Sequence, residues 1–290
     1  MATANTILEK LESIRDLPTL PVVAQKVAAT AREPNADARR LASIIEDDPA
    51  IMARILRVVN SALYAGTEEV TSVQHAVARM GINAVSNIAM STSVFSAFGR
   101  ADEAGFDRQE FWRHSISTGI AASVLRDMTG KSLACPAGKD VLHLVGLLHD
   151  IGRLLLDQYF PSEFGEARAL SRDENLPLTQ AEKRVIGADH GRIGAWLAVE
   201  WQLADELVQV IRCHHDPESA PEQFWPVAAL CHAGDYACNL AKIGNSGDNV
   251  TPAYLQAVWD RIGLSVAEMP AIVEQIREES AKSEVLMSFV

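Results

Sequence analysis

Residues 144–156 read LVGLLHDIGRLLL. Leucine, isoleucine and valine recur here at helical spacing, which predicts a largely apolar helix over 140–157. Into that run His149 and Asp150 are set side by side. Burying an imidazole next to a carboxylate is costly unless each finds a hydrogen bond, an opposite charge or a metal ion. The segment therefore predicts a helical core, and it requires partners for the pair from elsewhere in the chain.

The remainder is helical in pattern. The chain has 290 residues, 48% of them hydrophobic and 6% aromatic, and alternation of β-branched residues is scarce. These features predict an all-α protein with a substantial core. In the first hundred residues, segments such as PVVAQKVAATARE (21–33), AIMARILRVVNSALYA (50–65) and INAVSNIAMSTSVFSAF (82–98) each bring apolar side chains to one face. Pro21, the Asp48-Pro49 pair and Thr71 or Ser72 suit helix starts, while Gly66 and Gly81 suit stops. The polar stretch GRADEAGFDRQE (99–110) marks a junction. Beyond it helices are expected over 108–128, 140–157, 162–172, 178–184, 190–200, 204–214 and 224–242, followed by TPAYLQAVWDRIG and SVAEMPAIVEQIREESA. The resulting division is an N-terminal helical bundle over 1–100, a second helical subdomain over 101–242 and a helical tail over 243–290.

Charge narrows the classes of function. The net charge is −12, and the first hundred residues carry ten basic and ten acidic side chains, so the whole excess lies after residue 100. Such a surface repels phosphate backbones, and no basic stripe accompanies it, which argues against nucleic-acid binding. No apolar run approaches the roughly 20 residues of a membrane span, and the N-terminus lacks a signal-peptide pattern. Cys135, Cys213, Cys231 and Cys238 form no CxxC pair. A cytoplasmic protein with reduced thiols is the expectation.

A lone His-Asp dipeptide says little, and a second occurs at His215-Asp216. More telling is where the other candidates fall. His114 follows Phe111-Trp112 at the start of a helix, His190 opens HGRIGAWLAVEW, His214 and His215 end ELVQVIRCHH, and Asp235 lies within AALCHAGDYACNLA. Five successive helical segments each offer one or two side chains suited to a divalent cation, and a helical bundle is a natural place to assemble them. A single histidine near a helix end is more often hydrogen-bonded or stabilised by the helix dipole. Seven candidates exceed the needs of one tetrahedral ion, and two ions sharing Asp150 would use them. His75 and His143 lack comparable surroundings, His232 reads as a residue that packs beside or supports a ligand, and Glu110 reads as an exposed helix-start residue.

The order His114, His149-Asp150, Asp235 resembles the H…HD…D signature of the HD superfamily of metal-dependent phosphohydrolases. His190 and His214-His215 resemble the fuller ligand set of the HD-GYP cyclic-di-GMP phosphodiesterases, which hold two or three metals. More narrowly, LPTLPVVAQKV (17–27), IIEDDPAIMARILRVVNSALYA (44–65), TSVQHAVARMGINAVSNIAMSTSVF (71–95), FWRHSISTGIAA (111–122) and VGLLHDIGRLLL (145–156) are similar to the HDOD family of bacterial signalling proteins, over about residues 15–240. The resemblance implies an HD-type helical domain, a regulatory or protein-interaction role, and two divalent or mixed-valence ions of iron, manganese or zinc. It departs from HD-GYP enzymes in two places: no GYP follows CHHDPES, and Arg153 stands where a lysine usually follows HDIG. Arginine grips phosphate bidentately, so Arg153 is the candidate catalytic contact if the site hydrolyses a nucleotide or cyclic dinucleotide. The alternative is a signalling module whose partner is another protein.

Overall fold

In the computed structural model, the described residues are 5–290 except 15, 16, 34, 65, 67, 99–105 and 131. Among them there is helix and no strand. The expected junction over 99–110 lies largely outside the described residues.

Six helices come first: α1 (Asn5–Glu12), α2 (Val22–Ala31), α3 (Ala38–Glu46), α4 (Pro49–Val59), α5 (Val73–Met80) and α6 (Ile82–Ala97). Next are α7 (Arg108–Thr129), α8 (Lys139–Leu148), α9 (Ile151–Tyr159), α10 (Pro161–Glu174), α11 (Leu178–Val185), α12 (His190–Glu200), α13 (Asp205–Cys213) and α14 (Trp225–Ala241). Last are α15 (Gln256–Ile262), α16 (Met269–Ala281) and α17 (Glu284–Met287).

Short polar side chains set several of the helix starts. Asp48 accepts from the amides of Ala50 and Ile51 ahead of Pro49, Ser72 from that of His75, and Asp107 from those of Gln109 and Glu110. Each satisfies donors that the first helical turn leaves unpaired. Gly81, with φ +87°, separates α5 from α6 as its position in the sequence suggests. Gly66 does not end α4, which stops seven residues earlier, before Asn60. The Asn60 amide bonds the Leu56 carbonyl at 3.0 Å and exchanges two bonds of 2.8 Å with the Val70 backbone, so a side chain closes the helix and holds the returning loop.

The apolar helix expected over 140–157 is two helices. The chain turns at His149-Asp150, where Asp150 has φ −100° and ψ 11°, and α9 starts at Ile151. Apolar periodicity continues through the break, so the pattern alone does not show it. The turn lets both polar side chains face the interior between α7, α12 and α14 instead of diverging around one helix axis.

Small residues make those neighbours possible. A Cβ on Gly146 of α8 would lie 2.0 Å from the Gly119 nitrogen of α7, so these two backbones touch and His114 faces His149 across them. A Cβ on Gly152 would lie 2.1 Å from the His190 carbonyl oxygen, so α9 rests directly on α12. The core is continuous from Leu41 and Ile45, through Ile88 and Leu142, to Ile211 and Trp259. Among the described residues no helix is long and apolar enough to cross a membrane.

His143 of α8 lies away from the other histidines. Its Nδ1 meets the Tyr64 hydroxyl at 2.6 Å, tying the segment after α4 to α8. Burial, aided by Lys139 and Arg126, pushes the imidazole down from its ordinary 6.5 to about 4. An unfolded chain takes up this proton as pH falls below 6.5, whereas the folded protein refuses it until about 4, so stability is lost across that window on acidification. Because the ring keeps some exposure, wild type should lose about 1 kcal/mol more between pH 7 and 5 than His143→Gln in urea unfolding. Equal pH slopes would rule this out.

Candidate metal centre

His149 is presented at the end of α8 and Asp150 in the turn that follows. His114 projects from the second turn of α7, His190 opens α12, His214 and His215 follow α13, and Asp235 lies in the middle of α14. The fold brings these seven side chains into one cluster, sealed from solvent except at His215, which is half-buried.

The cluster divides into two groups around Asp150. Its Oδ1 lies 2.9 Å from His190 Nε2 and 3.5 Å from His214 Nε2, and His190 Nε2 lies 2.8 Å from His215 Nε2. Its Oδ2 lies 3.4 Å from His149 Nε2. Asp235 Oδ1 in turn lies 3.0 Å from His114 Nε2 and 3.9 Å from His149 Nε2. The two carboxylate oxygens of Asp150 thus face different sets of histidines.

These spacings suit metal coordination. Ligand atoms about 2.1 Å from a shared ion lie about 3.0 Å apart at octahedral angles and about 3.4 Å apart at tetrahedral ones. The group around Asp150 Oδ1, at 2.8–3.5 Å, lies close to that range, and the group around Oδ2, reaching 3.9 Å, is wider. Both Asp150 oxygens and the Nε2 atoms of His149 and His214 are buried without a properly aligned hydrogen bond. Nitrogens and oxygens this close but not aligned on one another are arranged as ligands of a common ion would be.

The outer ring nitrogens fix which inner nitrogens are free to bind. His149 Nδ1 donates to the Gly146 carbonyl at 2.6 Å and His214 Nδ1 to that of Ile211 at 2.7 Å, which leaves the Nε2 lone pair of each neutral ring pointing inward. His190 is held by a carboxylate: Glu182 Oε2 of α11 accepts from both His190 Nδ1 at 2.7 Å and its backbone amide at 2.9 Å. His232 Nδ1 donates to the His214 carbonyl at 2.9 Å, supporting that turn from behind. Glu110 pairs with Arg113 on the outer face of α7, and His75 sits on α5, so both lie apart from the cluster.

Electrostatics follow from the same contacts. Against the cost of burial, Arg153, His149 and His190 hold the Asp150 carboxyl well below the usual range. Burial and the Arg153 charge oppose protonation of His190, but Glu182 and Asp150 raise it to about 10. Burial likewise opposes a proton on His149, which Asp150 and Asp235 nevertheless favour. Burial, with the charges of neighbouring histidines and, at His215, of Arg153, pushes His214 and His215 down, leaving their nitrogens available. Asp235 is drawn down to about 2, chiefly by its bond to His114 against burial. Protons on His149 and His190 compete with a cation for the same nitrogens, so metal binding releases protons.

Arg153 adjoins the cluster, fully buried. One terminal nitrogen lies 3.2 Å from Asp150 Oδ2 and donates to the Ser246 carbonyl at 2.6 Å, while the other donates to Asp248 Oδ2 at 2.6 Å.

The HDOD domain model matches residues 17–217. The chain belongs to the HDOD family. The matched span holds six of the seven clustered residues, and Asp235 lies beyond it. Among solved structures, the chain resembles an HDOD domain protein of unknown function from Geobacter sulfurreducens, with TM-score 0.77, 23% identity and 97% of each chain covered. It also resembles a "Putative metal-dependent phosphohydrolase" from Shewanella amazonensis SB2B, with TM-score 0.64, 25% identity, and 97% of this chain and 99% of that one covered. An "Uncharacterized protein" of Treponema pallidum (strain Nichols) is 24% identical over 216 residues, 74% of this chain but only 41% of that protein's length.

Three residues of this HDOD site carry no sequence signal. Glu182 lies in LTQAEKRV, whose charges read as a solvated helix face. Asp248 lies in IGNSGDN, which reads as an open loop. Asn239 donates to Asp235 Oδ1 at 2.6 Å from one turn later on α14, a spacing that is informative only once Asp235 is placed. Since partners behind a ligand are worth 10- to 100-fold in affinity, Glu182→Gln should weaken zinc or manganese binding by about that factor while helical content stays unchanged. Titration calorimetry showing wild-type affinity would remove Glu182 from this role.

Proposed function

We propose that this HDOD protein is a bacterial signal-transduction module with two divalent or mixed-valence metal ions at its core, iron, manganese or zinc. Its output is contact with another signalling protein. His190, His214, His215 and Asp150 would hold one ion, and His114, His149, Asp235 and the other oxygen of Asp150 the second. The observation that carries the reading is burial together with commitment. Six of the seven ligand candidates are sealed, and both terminal nitrogens of Arg153 are already engaged by Asp150, Asp248 and Ser246. Such a centre would join five helical segments and stabilise their arrangement.

Elemental analysis of protein purified without added metal tests the reading directly. Two equivalents of iron, manganese or zinc are expected, and none would remove the metal centre from the account. Affinity capture from a bacterial lysate tests the output, with one specific signalling partner as the expected result.

One observation favours a second reading, a metal-dependent phosphohydrolase acting on a nucleotide or cyclic dinucleotide. Arg153 lies against the shared carboxylate, beside the place where a phosphate group would meet the ions. Bound there, the ions would supply Lewis acidity at phosphorus, and the guanidinium would grip two phosphate oxygens. The likeness to a protein named as a metal-dependent phosphohydrolase points the same way. Turnover of a nucleotide or cyclic dinucleotide that disappears in Asp150→Ala would establish this second reading over the first.

A further inference from the structure

The segment between α14 and α15 crosses the cluster and fastens to it through one side chain. The Ser246 carbonyl and the Asp248 carboxylate each take a terminal nitrogen of Arg153 at 2.6 Å. The Ser246 hydroxyl donates to the same Asp248 oxygen at 3.1 Å, and the Asn245 amide bonds the Glu110 carbonyl of α7 at 2.9 Å. Ser246 is 1% exposed although its neighbours Asn245 and Asn249 are open to solvent. The segment thus turns inward at Gly244, where a Cβ would lie 2.3 Å from the His114 nitrogen of α7, and again at Ser246 and Asp248, which meet the buried guanidinium.

The chemistry of that contact is informative. A planar guanidinium presents parallel donors matched to carboxylate or phosphate oxygens. Arg153 already has Asp150 on one side, so the structure does not need a second carboxylate to pair the charge. With two cations bound, Asp150 and Asp235 would be engaged by metal, and Arg153 would add to a positive region that favours an anion. Asp248 is the anion this chain supplies.

We propose that Asp248 is an internal stand-in for a phosphate group, and that residues 244–248 form a latch which a small phosphate-bearing ligand displaces from Arg153. The inference rests on the metal-loaded centre proposed above. It assigns a ligand class, a phosphate monoester dianion, and a mode of regulation in which the closed form is the one held by the chain's own carboxylate.

Asp248→Asn keeps the shape of the side chain and removes its charge. Ser246→Ala keeps the backbone carbonyl that Arg153 uses and removes only the hydroxyl that steadies Asp248. In metal-loaded full-length protein, inorganic phosphate measured by titration calorimetry should bind Asp248→Asn at least tenfold more tightly than wild type, with Ser246→Ala intermediate. The gain should vanish in Asp248→Asn combined with Arg153→Gln. Amide hydrogen exchange over 243–249 should accelerate in Asp248→Asn, and in wild type on addition of phosphate. A nucleoside 5′-monophosphate and free O-phosphoserine, titrated in parallel, distinguish a nucleotide from a phosphorylated side chain as the source of the group. Phosphate affinity equal to or below wild type in Asp248→Asn, with two metal equivalents present, would overturn the proposal. If the protein holds no metal, the reading of the centre fails instead, whereas faster exchange over 243–249 in metal-free Asp248→Asn would still report the latch.

Discussion

Asp150→Ala is expected to abolish metal binding at the proposed two-ion centre and to destabilise the protein even without metal. Each candidate group of ligands includes one oxygen of this carboxylate, so its removal takes a ligand from both. Residues behind a ligand are worth 10- to 100-fold, and a shared ligand should exceed that, so binding of manganese or zinc should weaken by about 100-fold or more. The second loss is independent of metal. Asp150 is 1% exposed and lies 3.2 Å from the buried Arg153. Breaking a buried pair by deleting one partner costs about 3–5 kcal/mol, and Asp248, still on the far side of the guanidinium, places the expectation at the low end, about 3 kcal/mol. Elemental analysis reads the first effect and urea unfolding in excess chelator the second. Two metal equivalents and a wild-type unfolding midpoint would contradict both.

The second large effect comes from the smallest side chain in the motif. In Gly152→Ala the new Cβ would lie 2.1 Å from the His190 carbonyl oxygen and 2.8 Å from the Gly194 nitrogen. Both are backbone atoms of α12, so no rotamer relieves the contact and α9 must move away. Overpacked cores typically lose 1–3 kcal/mol, and a backbone collision places this variant near about 3 kcal/mol. For a chain of this size that lowers Tm by about 5 °C. The displacement also carries His190 away from Asp150, so metal content should fall together with stability. A Tm within a degree of wild type would mean that α9 and α12 do not touch as described.

That contact shows why parts of the site were legible in the sequence and others were not. His114, His149, Asp150, His190, His214, His215 and Asp235 could be singled out because each is a polar, metal-capable residue in or beside an apolar helical pattern. Gly152 gave no such contrast, since a glycine after HDI has no side chain to stand out. Glu182 was hidden for the opposite reason. It sits on a helix already rich in charge, and its 0% exposure arises only when α11 folds over His190. The helix starts at Asp48-Pro49 and Ser72 followed from local capping chemistry. The break at His149-Asp150 did not, because apolar residues continue on both sides and the turn is set by packing against α7, α12 and α14. Likewise the loop over 243–249 looks polar and open, and only the guanidinium beneath it explains why Ser246 turns inward.

The division of the HDIG segment into two helices also shapes the field inside the cluster. α8 ends just before His149 and α13 just before His214, so two helix C-termini, each carrying about half a negative charge, lie at the cluster. α9 begins after Asp150 and α12 begins at His190, so two N-termini bring comparable positive charge to the same place. A single unbroken helix through His149-Asp150 would have brought neither of its ends. With the break, the backbone favours cations from one pair of helix ends and an anion lodged against them from the other. The resting charge is then set by Asp150 and Asp235 against Arg153 and the proton held by His190.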